Sequence, residues 1–193
     1  MGQRSLRTKE VKKFVHRSNE EIKTSITGIT YKSENSEVEI FEDGTIKFNV
    51  TQFEEGYFAW DGCTPKKEIL DLLIGTPDGK MDFGTEEPIT YYASFVHDIL
   101  YKYKAEIPLS RKTVDDLFFL ILKRSEFKLA GIYHFGVRTF GGILFGAWKT
   151  KTKVKNLQIS NVSWEKRHCE EMINIGYQIF QTHPFMKSNF QNQ

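Results

Sequence analysis

The stretch Ala93-Ser94-Phe95-Val96-His97-Asp98-Ile99-Leu100-Tyr101 and the later run Val114-Asp115-Asp116-Leu117-Phe118-Phe119-Leu120-Ile121-Leu122 decide how the chain reads. Both are apolar with polar residues at helical intervals, which predicts two helices, about Ile89–Tyr103 and Arg111–Ser125, the second with Ser110 as its N-cap. On the first helix His97 and Tyr101 stand at i and i+4, and Asp98 and Tyr101 at i and i+3, so the three share one face. An antiparallel second helix would set Asp115 against the imidazole. The result is a base oriented by one carboxylate, beside a second carboxylate able to hold a cation.

Upstream the pattern changes to period two. Ser36–Phe41 and Ile46–Val50 alternate around Glu42-Asp43-Gly44-Thr45, a hairpin signal with Asp-Gly in the turn, and Phe53–Trp60 offers one more strand. Asp61-Gly62-Cys63-Thr64-Pro65 reads as a loop, Lys67–Ile74 as a short helix, and residues 76–88 as a second loop. A third helix is expected over Lys128–Phe140, stopped by Gly141-Gly142, and a last one over Trp164–Gln181, capped by Ser163, with Met172, Ile175, Ile179 and Trp164 on its apolar side. The expected class is α+β: a small antiparallel sheet in the N-terminal half, then an antiparallel helix pair and further C-terminal helices. The organisation reads as a basic N-terminal arm (1–24) with some helical potential, a central α+β domain (25–148), and a linker with C-terminal helix and tail (149–193).

Composition narrows the function classes. A length of 193 residues with 16 Phe and 8 Tyr suffices for a packed core. A net charge of +2 gives no strong nucleic-acid signal. The local excess of Arg4, Arg7, Lys9, Lys12, Lys13 and Arg17 over Glu10 marks the arm as a solvated tail or a partner-docking segment. Cys63 and Cys169 have no metal-type spacing and point to reduced thiols. No secretion signal opens the chain, and Ile132–Trp148 is too short and polar to span a bilayer.

Other polar residues carry competing readings. Asp98 has Lys102 and Lys104 within reach on the same helix. Cys63 is either a loop nucleophile served by His97 or a small buried hydrophobe. His168-Cys169 reads as structural. Arg138 either binds an anion or carboxylate in the site or caps a helix end. The run Phe135, Phe140, Ile143, Leu144, Phe145, Trp148 suits core packing, with a membrane or subunit contact as the alternative.

Four motifs in order, Asp61–Pro65, Ala93–Tyr101, Ser110–Phe118 and Tyr133–Gly141, resemble the domain of unknown function 1353, a family found widely in tailed phages and prophages. The resemblance covers about residues 37–142. More distantly, His97-Asp98-x-x-Tyr101 followed by Asp115 on a partner helix is similar to the phospholipase A2 superfamily. That likeness implies that His97 activates a water, Asp98 binds calcium, Asp115 orients His97 (Phe118 follows it by three residues, as the pattern asks), and Tyr101 supports them by a hydrogen bond. The chain departs from the superfamily in two places. Phe95, Val96 and Leu100 stand in the neighbourhood of its flanking cysteines, and Asp61-Gly62-Cys63, with Gly62 as a carbonyl ligand, stands for its glycine-rich calcium loop.

Together these imply a tailed-phage protein with a calcium-dependent lipid ester hydrolase domain, acting on host membrane lipid. The alternative is a non-enzymatic virion component (head, neck, tail or packaged cargo), in which the polar cluster only pins helices together and the arm docks other virion proteins. Either places the protein in the virion or the host cytoplasm.

Overall fold

The computed structural model describes residues 14–62, 81, 87–145, 148, 154 and 156–182. Strands β1 (Phe14–His16), β2 (Glu20–Thr24), β3 (Tyr31–Lys32), β4 (Val38–Ile40), β5 (Thr45–Phe48) and β6 (Phe58–Trp60) precede helices α1 (Tyr91–Lys102), α2 (Arg111–Arg124) and α3 (Ala130–Phe145). Strand β7 (Ile159–Val162) and helix α4 (Ser163–Thr182) follow. The class is α+β, as expected.

The hairpin forms where its turn chemistry places it, with Ile40 opposite Ile46 and Val38 opposite Phe48. Alternation buries these four while Glu39 and Lys47 lean outward. Gly44 closes the turn at φ +86°, and a Cβ there would stand 2.3 Å from the Thr24 carbonyl oxygen. The Gly44 carbonyl in turn accepts from Thr24 N (3.0 Å) and Thr24 Oγ1 (2.8 Å), which locks β2 beside the hairpin. The five-stranded antiparallel sheet has the order β3-β4-β5-β2-β7, and β1 pairs with β6 in a separate ribbon.

Three expectations are corrected here. Residues 14–24, expected within the basic arm, form β1 and β2. The inward positions of β2 are Glu20, Ile22 and Thr24, so two polar residues hide its period. Strand β7 was not expected, because Ile159-Ser160-Asn161-Val162 carries only two apolar residues; pairing with β2 makes it a strand. Helix α3 runs through Gly141-Gly142 to Phe145 instead of stopping there. Gly141 is a close-approach residue, since a Cβ would lie 3.1 Å from the Tyr101 hydroxyl and 3.3 Å from Arg111 Nη1. The 1–13 part of the arm, Cys63, the expected helix at Lys67–Ile74 and most of the 76–88 loop lie outside the described residues.

Helices α1 and α2 appear within two residues of expectation, and Ser110 Oγ accepts from Thr113 N at 3.2 Å as an N-cap. Phe95 of α1 meets Phe48 at 5.8 Å and Trp60 at 5.4 Å, joining helix to sheet and ribbon. Val96, Ile99 and Leu100 of α1 and Val114, Leu117 and Leu122 of α2 are fully buried in the same core. Each such Val, Leu, Ile or Phe stabilises the fold by about 1.5–3 kcal/mol relative to exposure. The last helix begins at Ser163, whose hydroxyl donates to Glu20 Oε2 (2.5 Å) and accepts from Glu21 N (2.8 Å). Trp164 stacks on Tyr92 at 4.5 Å, whereas Met172, expected on the apolar side, is exposed. The side chains of Ile175 and Ile179 lie outside the described residues.

Candidate functional site

Three helices converge on one buried carboxylate. Helix α1 turns His97 and Tyr101 toward α2, and Asp115 lies between them with no solvent exposure. His97 Nε2 is 3.2 Å from Asp115 Oδ1, and the Tyr101 hydroxyl donates to the same oxygen at 2.6 Å. Arg138, from the middle of α3, donates through Nη1 to Oδ2 at 3.0 Å. Of the two readings weighed for Arg138, carboxylate binding is therefore the one found. Arg111 adds a tie, donating from Nη2 to the Arg138 carbonyl at 3.2 Å. Its Nη1 is buried with no partner among the described residues.

The ring nitrogens divide the work. With Nε2–H committed to Asp115, Nδ1 is left for proton exchange, and it lies 3.4 Å from Asp98 Oδ1. The Asp98 side chain is 36 % exposed, so the Nδ1 side is the one nearest solvent. The ring packs at a tilt against Tyr101 (4.1 Å between centroids) and Phe118 (5.0 Å). Trp148 packs edge-on against Tyr101 at 4.8 Å and donates its Nε1–H to the Leu109 carbonyl.

Burial alone would lower the His97 pKa, but hydrogen bonds to Asp115 and Asp98 and the fields of both carboxylates outweigh it and raise the value above 6.5. For Asp115 burial pushes upward, yet the hydrogen bonds from His97, Tyr101 and Arg138 and the charge of His97 hold the carboxyl below its ordinary range. Tyr101 is raised, chiefly by burial and then by the Asp115 charge, so it stays a phenol donor.

The geometry thus brings together His97, Asp98, Tyr101 and Asp115 as the spacing predicts. Asp116 goes elsewhere, to Lys112 and to His134 Nε2 at 3.2 Å. Lys102 lies over the Phe53 ring at 4.2 Å. Gly62 sits in the turn after β6 at φ +77°, and among the described residues the hydrogen-bond partners of His97, Asp98 and Asp115 come from α1, α2 and α3. Among the described residues no three His, Cys, Asp or Glu side chains gather to hold a metal ion. Asp98 alone does not make the calcium cage that the superfamily likeness implies.

A second buried polar cluster was not legible in the sequence. Glu20 accepts from His16 Nε2 (2.8 Å), from Ser163 and from Arg167, while His16 Nδ1 meets the Tyr91 hydroxyl at 3.1 Å. Its members are spread from residue 16 to residue 167, and Glu20 sits in the polar run Ser18-Asn19-Glu20-Glu21, so no local signal marks it. At the Ser163 and Glu20 pair the serine hydroxyl donates to the carboxylate and not to the imidazole, so the cluster ties α4 to β2 instead of arming a nucleophile.

No family model, no curated protein and no solved structure matches the chain. No helix among the described residues is long and apolar enough to cross a membrane.

Proposed function

We propose that the chain is a tailed-phage protein whose helix pair is a hydrolase of lipid esters, with His97 as general base. The observation that carries the reading is the buried Asp115 carboxylate on His97 Nε2, which leaves Nδ1 on the partly exposed side at Asp98. A water at Nδ1 gives its proton to the imidazole as its oxygen bonds to the ester carbonyl carbon. The imidazolium, stabilised by Asp115, then returns that proton to the leaving alkoxide as the ester C–O bond breaks. Tyr101 and Arg138 keep Asp115 ionised and in place, which fixes the tautomer. The phage assignment rests on the resemblance of the four motifs in the sequence alone. Among the described residues no three His, Cys, Asp or Glu side chains gather at Asp98, and the water attack is carried by His97 and Asp115.

The test is release of fatty acid or alcohol from phospholipid and short-chain esters by the purified protein, with calcium and with chelator. Wild type is expected to turn over, and His97→Asn to lose on the order of 10²–10⁴-fold, the usual contribution of a positioned base. No turnover on any ester by wild type, or equal rates in the variant, refutes the hydrolase reading.

One observation favours a second reading, a virion component without catalysis. Asp115 is wholly buried and takes its donors from two neighbouring helices, as a three-helix staple would. Stoichiometric copies of the chain in purified particles, with His97→Asn behaving as wild type in infection, would select it.

A further inference from the structure

Helix α3 presents an outward face with exposed apolar side chains. Leu129, just before the helix, and Ile132 and Phe135 on it are 44 %, 54 % and 68 % exposed. At 100° per residue the three fall within one arc of about 120°, and the other described side chains of that arc are Lys128, Gly136 and Thr139. None is acidic. From Lys123 to Phe145 the chain has a single acid, Glu126 at the α2–α3 corner, against Lys123, Arg124, Lys128 and Arg138; Arg124 pairs with Glu165 of α4 and Arg138 with Asp115, which leaves Lys123 and Lys128 as the exposed cations outside those pairs. Exposed apolar side chains rimmed by basic ones are the pattern of a helix that lies in a lipid headgroup layer. The other exposed apolar pair, Met172 and Ile173, follows Glu170 and Glu171 and lacks this charge.

The geometry points to the Leu129–Ile132–Phe135 face of α3, with Lys123 and Lys128, as the surface that lays this protein on an anionic lipid layer. It rests on the lipid-ester reading above and adds the partner: a membrane whose headgroups are negative. Phe135 and Arg138 are i and i+3 neighbours, and Arg138 is both 33 % exposed and bonded to Asp115, so the docked face borders the site. A second copy is the poorer occupant, because a two-fold contact through this face brings two basic rims together.

Vesicle sedimentation with the full chain tests this. Wild type is expected to bind phosphatidylglycerol vesicles at least tenfold more tightly than phosphatidylcholine vesicles, with the preference falling at high salt. Ile132→Ser with Phe135→Ser, and separately Lys123→Glu with Lys128→Glu, are expected to weaken that binding at least tenfold. All four sites are exposed, so thermal unfolding should be unchanged, and cleavage of a soluble short-chain ester should stay at the wild-type rate. Equal binding to both lipids, unchanged binding by the variants, or a wild-type dimer that Phe135→Ser converts to monomer overturns the proposal. The two readings fail separately. Vesicle binding without cleavage of any ester leaves the surface standing and removes the hydrolase, while cleavage of the soluble ester without vesicle binding does the reverse.

Discussion

Replacing Asp115 by asparagine removes a charge and leaves the shape, so its cost can be worked from the contacts. In wild type, Oδ1 accepts from His97 and Tyr101, and Oδ2 accepts from Arg138. Asparagine keeps one acceptor oxygen for His97 and Tyr101, but each bond drops from the charged to the neutral class, about 1 kcal/mol apiece. Its amide NH₂ then faces the Arg138 guanidinium, donor against donor. Arg138 is partly exposed and can turn to water, which limits that loss to about 1 kcal/mol. The sum is about 3 kcal/mol, at the lower end of what breaking a buried ion pair costs. For a chain of this size that is a fall in Tm of roughly 6–12 °C. Thermal unfolding followed by circular dichroism at pH 6 reads it, where the imidazolium adds to the demand for the carboxylate. A fall of less than 2 °C would mean that Asp115 is not the anion on which the three helices converge, and the site as described would be wrong.

The pH dependence of stability follows from the same cluster. The folded His97 pKa lies above the unfolded 6.5, so the folded state holds the extra proton. That contribution is complete below about pH 6.5 and is lost as pH rises through the folded value; the Asp115 contribution is present above about pH 3.8 and is lost as pH falls through its lowered value. Denaturant unfolding of wild type minus His97→Asn should therefore decline on the alkaline side, and a difference that grows with pH would contradict the assignment. Gly44→Ala is expected to cost about 2–4 kcal/mol, from left-handed strain plus overlap with the Thr24 carbonyl. Urea unfolding measures it, and a neutral result would dismiss the role of that turn in docking β2. Glu20→Gln should destabilise by roughly 3 kcal/mol, since its side chain is fully buried among His16, Ser163 and Arg167. Faster proteolysis within α4 should accompany the loss, and unchanged cleavage there would mean that Glu20 does not hold the helix.

What was legible in the sequence was local. The hairpin was readable because Asp43-Gly44 is punctuation and both flanks alternate. Helices α1 and α2 were readable because their apolar periods are long and Ser110 is a strong cap. Helical spacing and an antiparallel partner put an Asp of α2 within reach of His97, and the choice of Asp115 over Asp116 came from the likeness to the phospholipase A2 superfamily pattern. What the sequence hid depends on distant neighbours. Strand β2 buries Glu20 and Thr24, and beside nearby His16 it takes Ser163 and Arg167, more than 140 residues later, to make Glu20 tolerable there. Strand β7 has little pattern of its own and exists because β2 offers it an edge. Gly141 looked like a stop, but its missing side chain serves the approach of α3 to Tyr101 and Arg111.

The central claim is that His97 is a working base held by Asp115, and following its ring nitrogens by NMR across pH, on samples whose ester-hydrolysis rates are measured in parallel, tests it most directly. The account predicts an Nε2–H tautomer in the neutral form and a titration above pH 6.5, displaced downward in Asp115→Asn. The rate should rise with pH along the same curve as His97 loses its proton. A rate that is absent in wild type, or that stays flat while His97 titrates, would contradict it.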